Sequence, residues 1–288
     1  MYYCIPRTVN EALQTVAEHP AGAFIAGGTD LMILISEGLK KPDGLIDLSR
    51  IEDLRAIRKD EKFLILGSAV TMRQLARHED IPLCLRMGAS QVGSPQIRSV
   101  ATLGGNICNA SPCGDTLPGL LVLDAEFLLK SLKEERRVKA KDFFLSPKKT
   151  ALRTGEILVE VRFPLIKLTG SSGFAKIGQR RGQVISQVNA AVWCTLEKES
   201  GVLSDLRIAA GSVAPVPLEL TALEEKLLGK VLDDETIEGV RQVAGELIAP
   251  ITDVRATEEY RRAVMGSLIV DALRSALEAS GRWKGGNK

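Results

Sequence analysis

The chain carries two paired-glycine stretches, Ile25-Ala26-Gly27-Gly28-Thr29-Asp30 and Ala101-Thr102-Leu103-Gly104-Gly105-Asn106, and they limit what it can fold into more than any other feature. Adjacent glycines bring backbone N–H groups close to a ligand with no side chain in the way, and the flanking Thr, Asn and Asp supply short hydrogen-bonding groups. Such turns suit phosphates and the hydroxyls of a ribose or ribitol chain. A dinucleotide has two phosphoryl groups to hold, and two turns of this kind on one chain match that need. Taken singly, a Gly-Gly pair is more often an ordinary tight turn. Neither stretch fits G-x-G-x-x-G or G-x-x-x-x-G-K-[ST], so neither a Rossmann fingerprint nor a P-loop is present.

At 288 residues and 45% hydrophobic content, the chain is long enough for two or three domains with real cores. Its 38 basic and 36 acidic residues leave a formal charge of +2, spread along the chain, so neither nucleic acid nor an anionic membrane is implied as a partner. Lys148-Lys149 and Arg180-Arg181 read as solvated surface. Met1 to Arg7 lacks the apolar core of a secretory signal, and no run reaches the roughly 18 apolar residues of a spanning helix, so a cytoplasmic address is expected. Cys4, Cys84, Cys108, Cys113 and Cys194 are odd in number and scattered, against a disulfide framework. Cys108 and Cys113 have no second close pair to complete four metal ligands. His19 and His78, the only histidines, fall near the polar ends of predicted helices and read as surface residues.

Thr8-Val9-Asn10-Glu11 has the form of a capping box, and Ala12, Leu13, Val16 and Ala17 predict a helix to about His19. Ala23-Phe24-Ile25 reads as a short buried strand delivering the first Gly-Gly turn. Asp30 is placed to cap a helix from Leu31 to about Glu37, ended by Gly38, and Gly44 to Leu48 reads as a further strand. This is a small α/β unit. Beyond Ile51 the pattern changes to α+β with antiparallel pairing: a strand at Phe63–Leu66, a capping box at Thr71–Gln74, a helix over Ile81–Gln91, and a hairpin of Glu126–Leu132 with Arg136–Ala140. Ile157, Val159, Val161 and Phe163 alternate with polar neighbours as a strand should. Asp115 precedes an apolar stretch with Pro118 in its first turn, so it is a candidate helix cap as well as a candidate ligand group.

Lys167 to Gly173 contains Thr-Gly-Ser-Ser-Gly, a flexible composition, and a domain boundary is expected there. Gly173–Gly178, Val188–Leu196 and Val202–Ala210 read as strands. Leu218–Leu228, Asp234–Ile248 and Thr257–Ala279 carry apolar residues at helical spacing.

With these elements in place the sequence resembles, over roughly Pro6 to Leu277, the FAD-binding medium subunit of the molybdenum hydroxylases, which include xanthine, aldehyde, nicotinate and carbon monoxide dehydrogenases. The stretches that carry the resemblance are Ala26–Asp30, Gly93-Ser94-Pro95-Gln96-Ile97-Arg98, Thr102–Asn106, and Asn109-Ala110-Ser111-Pro112 leading to Asp115. It implies an α+β chain: an FAD-binding domain of the vanillyl-alcohol-oxidase type over 1–167, in subdomains of about 1–55 and 56–167, then a C-terminal α+β domain over 173–283. On the family pattern, Ala23, Phe24, Ile25, Ala26, Gly27, Gly28, Thr29 and Asp30, with Thr102, Leu103, Gly104, Gly105 and Asn106, would wrap the FAD pyrophosphate. Asp115 would bind ribose or ribitol hydroxyls. Leu158 matches a position whose backbone meets the isoalloxazine, and Lys176 matches a lysine near the flavin, where an ammonium would favour reduction. An exposed strand lysine is the alternative.

The function implied is electron transfer within a complex most like xanthine dehydrogenase. Hydroxylation would occur at a molybdenum cofactor on a large subunit, electrons would cross [2Fe–2S] clusters on a small subunit, and FAD here would pass them to NAD+ or another acceptor. A heterotrimer follows, and no metal site is expected on this chain. A stand-alone flavin oxidase, tethering its cofactor through His or Cys, and a non-enzymatic nucleotide-binding scaffold are the rival readings.

Overall fold

The computed structural model describes residues 2–180, 182–279 and 281. Arg181 and the end of the last domain, expected at 283, lie outside the described residues.

The chain opens on a small parallel sheet of β1 (Tyr2–Cys4), β2 (Ala23–Ile25) and β3 (Gly44–Asp47), ordered β1-β3-β2. α1 (Val9–Glu18) connects the first two strands and α2 (Leu31–Ser36) follows β2. Thr8 Oγ1 accepts the Glu11 N–H, and Val9, Ala12, Leu13 and Val16 bury one stripe of α1. The capping box expected there is not closed, because the Glu11 carboxylate takes the N–H of Arg7, one residue further back. Asp30 also makes no capping bond, since its carboxylate turns away to the Asn109 amide at 3.0 Å. β1 was not expected from sequence.

The second sheet is antiparallel and runs β4-β5-β10-β6-β7, from β4 (Ile57–Lys59), β5 (Phe63–Gly67), β6 (Glu126–Lys130), β7 (Glu135–Lys139) and, after the ribbon β8 (Phe144–Ser146) and β9 (Lys149–Thr150), β10 (Ile157–Pro164). Five short helices separate β5 from β6: α3 (Met72–Arg77), α4 (Leu83–Ser90), α5 (Pro95–Val100), α6 (Leu103–Asn109) and α7 (Leu117–Val122), with α8 (Ala140–Phe143) after β7. Thr71 and Gln74 close a full capping box on α3, as predicted. The alternation expected along β10 breaks at a bulge between Leu158 and Glu160. Val159 is only half-buried, and Glu160 turns inward to pair with Arg58 at 2.8 Å and Arg137 at 2.9 Å.

A correction concerns the second glycine pair. Gly104 and Gly105 are not a turn: they lie in the first turn of α6, whose N-cap Thr102 accepts the Gly105 N–H. Thr102 with Leu103 and Ile107 is a helix signal that the two glycines, poor helix formers, obscure.

The last sheet, β11 (Ser171–Ile177), β12 (Val188–Leu196), β13 (Leu203–Gly211) and β14 (Leu218–Glu219), is antiparallel and buried on both faces. Phe174, Ala191, Trp193 and Ala209 join the core that holds α4 and α7. Their neighbours Val188, Ala190, Val192, Ile208 and Ala210 face α9 (Thr221–Leu227), α10 (Asp234–Val243) and α11 (Glu258–Ala279). The run read as flexible is strand from Ser171 onward, because Gly170 packs under Trp193 and Gly173 against α11.

α6 is fixed to the second sheet through Ser68, which donates its N–H to Val159 O and accepts the N–H of Gly104 at 2.7 Å. A Cβ on Gly104 would stand 2.6 Å from Ser68 Cβ and 2.8 Å from its carbonyl oxygen. Gly104→Ala is therefore expected to cost about 1–3 kcal/mol by overpacking. Urea denaturation measures it; an unchanged midpoint would show that α6 shifts freely.

Candidate functional site

Two clefts meet between the glycine stretches. The first, about 570 Å³, is walled on one side by Ala23 to Leu31 and on the other by Ala101, Thr102, Gly105, Asn106 and Asn109. The second, about 630 Å³, runs from Asn106 and Asn109 past Asp115 to Ser212, Ile251 and Arg255. Asp30, Val92, Gly93, Asn106 and Asn109 line both, so the two form one groove with a waist. Its first wall explains why β2, expected to be buried, is half-exposed.

The two stretches contribute different things. Gly28 has φ +69°, a left-handed conformation that glycine tolerates, and it turns the chain from β2 into α2 along the cleft wall. The backbone N–H groups of Gly27, Gly28, Thr29 and Asp30 meet no acceptor among the described residues. Across the cleft the amides are already engaged: Leu103 N–H with Val70 O, Gly104 with Ser68 O, Gly105 with Thr102 Oγ1, and Asn106 with Thr102 O. What α6 offers is side chains. Asn106 Oδ1 accepts from the Thr116 hydroxyl at 2.6 Å, and its NH2 finds no partner among the described residues.

Asp115 does not cap α7, whose N-cap position is Thr116. It is buried at the edge of the second cleft, where its Oδ2 accepts from Lys176 Nζ at 2.6 Å and its Oδ1 from Ser186 Oγ at 2.5 Å and Asn189 Nδ2 at 3.0 Å. Burial pushes its carboxyl above the usual range, against the opposing pull of the Lys176 charge and these hydrogen bonds. An ionised carboxylate has about four acceptor positions, so one remains for an incoming hydroxyl. Lys176 also donates to Gln91 O at 3.3 Å and Val184 O at 2.9 Å, which uses all three of its protons. It is therefore not the exposed strand lysine of the alternative reading, and it can act on a ligand only through its charge.

Residues 1–166 match the FAD binding domain in molybdopterin dehydrogenase, and residues 174–276 match the CO dehydrogenase flavoprotein C-terminal domain. The chain belongs to this family of FAD-binding dehydrogenase subunits. It is 31% identical to the nicotinate dehydrogenase FAD-subunit of Eubacterium barkeri, over 93% of this chain and 94% of that one. It is also 31% identical to the xanthine dehydrogenase FAD-binding subunit of Escherichia coli O157:H7, over 95% of each. The fold is similar to that of a chain in carbon monoxide dehydrogenase from Hydrogenophaga pseudoflava, with a TM-score of 0.88, 28% identity, and coverage of 96% of this chain and 97% of that chain. The family's cofactor is FAD, and the expected α+β FAD-binding architecture with a second C-terminal domain is present.

The groove fits that cofactor on its own chemistry, since a row of unpaired amides and a carboxylate with a free acceptor position match a pyrophosphate and a polyol. Of the residues expected to bind it, Ala23 to Asp30, Thr102, Gly105 and Asn106 line the first cleft and Asp115 the second. Lys176 reaches the groove through Asp115. Leu103 and Gly104 are buried behind the wall, and Leu158 lies in the core on β10, outside both clefts. Sequence reading missed Ser186, Asn189 and Lys148, which the fold brings in from distant positions with no local motif, whereas Asn109 belongs to the Asn109–Pro112 stretch singled out in the sequence. Cys108 lines the first cleft and Cys113 the second; burial pushes the Cys108 thiol up to about 12, away from the range of reactive thiolates. His19 and His78 stand at helix C-caps and line neither cleft.

Gly28→Val would force a β-branched residue into the left-handed region and displace the amide row. A rise in the FAD Kd of about tenfold or more is expected in a flavin fluorescence titration. Affinity equal to wild type would show that these amides are not the cradle.

Lys176→Met should leave a buried carboxylate without its cation, a loss of about 3–5 kcal/mol near neutral pH. Because the folded-state pKa of Asp115 then rises further above its unfolded value, the protonated folded form is favoured, and stability present at low pH is lost as pH rises through that pKa. The difference in Tm between variant and wild type should shrink on going from neutral pH to about 5. A constant difference would mean that Asp115 is not the group left unpaired.

Proposed function

We propose that this chain is the medium subunit of a three-chain molybdenum hydroxylase most like xanthine dehydrogenase, working in the cytoplasm. Its partners would be a large subunit with the molybdenum cofactor and a small subunit with [2Fe–2S] clusters, and its electron acceptor NAD+. When bound, FAD supplies the relay between one-electron clusters and a two-electron acceptor. The protein's part is binding, orientation and electrostatics. The amides of Gly27 to Asp30 hold the pyrophosphate from one side, with Thr102, Gly105 and Asn106 forming the opposite wall. Asp115 takes a ribose or ribitol hydroxyl, and the Lys176 ammonium biases the flavin toward its reduced, more negative form. Leu158 supports the site from the sheet beneath α6.

The observation that carries this reading is the row of four unpaired amides facing a polar wall, in a chain with both of the family's domains. Dependence on partners is supported by α2, an apolar helix with no buried residue. Met32 and Ile33 on it are exposed, as is Leu39, which its backbone ties to the end of the same helix. A stand-alone oxidase that tethers its flavin through histidine is disfavoured, since neither His19 nor His78 lines the groove.

Native purification tests the proposal. The chain should elute with two further subunits, in a complex that contains molybdenum and iron and reduces NAD+ with xanthine. Alone it should carry FAD and hydroxylate neither purines, aldehydes nor nicotinate. Xanthine turnover by the metal-free single chain would return the stand-alone oxidase to first place.

A further inference from the structure

At the waist of the groove stands a carboxylate that a phosphate-binding cleft would ordinarily exclude. Asp30 lines both clefts, directly beside the unpaired amides, and like charges at short range oppose binding of a pyrophosphate. Asp30 forms no ion pair of its own among the described residues. Instead its Oδ1 accepts from Asn109 Nδ2 at 3.0 Å, and Asn109 Oδ1 accepts from Lys148 Nζ at 2.8 Å. The chain of bonds joins three separate segments and ends in a cation on the wall of the second cleft.

Lys148 is held for this position. It sits in the turn between β8 and β9 with φ +63°, uncommon for a residue with a side chain. Its N–H donates at 3.0 Å to the carbonyl of Ala110, itself at φ +45° as the C-cap of α6. These two residues, each in an unusual conformation, thus fasten the β8–β9 turn to the end of the helix that carries Asn109. A lysine that was only solvated surface, as the sequence suggested, would need neither.

We propose that Lys148 is a positioning residue for FAD: acting through Asn109, it offsets the Asp30 charge and fixes the waist so that phosphates can enter. Asn109 is the coupler, since an amide is the side chain that can donate to a carboxylate and accept from an ammonium at once. The proposal rests on FAD binding in this groove. The bridge is open to solvent, where such contacts add little to folding, so its removal should appear in cofactor affinity and not in stability.

The test is a mutant cycle read by FAD fluorescence titration on the full chain, with the thermal melt of each flavin-free variant alongside. Lys148→Met should raise the FAD Kd about tenfold with an unchanged Tm, and the deficit should narrow as NaCl is added. Lys148→Arg should keep wild-type affinity. Asp30→Asn should bind at least as tightly as wild type, and the Asp30→Asn, Lys148→Met double variant should recover wild-type affinity within about threefold, because the charge to be offset has gone. No recovery in the double variant would overturn the proposal and make Lys148 a direct phosphate ligand. A fall in Tm matching the lost affinity would overturn it in favour of a purely structural turn. Wild-type binding in the same titration tests the groove itself, so a failure of the cofactor assignment is distinct from a failure of the bridge.

Discussion

The Asp115–Lys176 pair is the contact on which the rest of the site depends. Asp115 belongs to the loop between α6 and α7, and Lys176 to the first strand of the last sheet, with Ser186 and Asn189 added from the loop and strand that follow. A buried ion pair adds little net stability, because desolvating both charges offsets most of their attraction. Its effect is geometric: neither partner tolerates the other's absence, so the two domains close in one register. The second cleft is bounded by residues from both sides of that contact, and its shape is set when the pair forms.

A second tie lies at the domain junction. Lys167 is buried with its ammonium 3.9 Å from the centre of the Trp193 ring and 2.7 Å from Asp124, while its carbonyl accepts the Trp193 indole N–H at 2.8 Å. One residue thus satisfies its charge, its stem and its backbone in contacts that cross from the connecting turn to β12. Together with the two-faced sheet, which contributes alternate residues to both cores, this makes the junction rigid where composition suggested a linker. Glycine and serine mark flexibility only when nothing packs against them, and Gly170 and Gly173 are there because Trp193 and α11 come too close for a side chain.

Much of the architecture was legible because it rests on local signals. The Thr71 capping box, the stripe of α1, the hairpin of β6 and β7 and the strand order of residue types in β12 and β13 follow from spacing alone. Several misreadings share a cause: a side chain with one local role available took another partner. Asp30 leaves its helix for Asn109, Glu11 takes the N–H of Arg7 rather than that of Thr8, and Glu160 turns inward at a bulge to meet two arginines from other strands. The site divides the same way. The first glycine pair was identifiable from sequence, but Ser186 and Asn189, which hold Asp115, lie 71 and 74 residues further along the chain and belong to no motif.

The difference between the two glycine pairs bears on how such a groove is built. Similar dipeptides do opposite jobs: one leaves its amides free, and the other uses its own in the first turn of a helix, on Ser68 O and on the capping Thr102 Oγ1. A cradle made on both sides from unpaired amides would carry many unsatisfied donors before the ligand arrived, each costing free energy in the empty protein. Confining them to one loop, opposite a wall whose amides are already bonded, limits that penalty. The open amides line a cleft that water can enter, and under the proposed reading a phosphate would exchange that water for charge-assisted hydrogen bonds against a wall already satisfied, the preorganisation that would let neutral backbone groups hold an anion in a chain with almost no net charge.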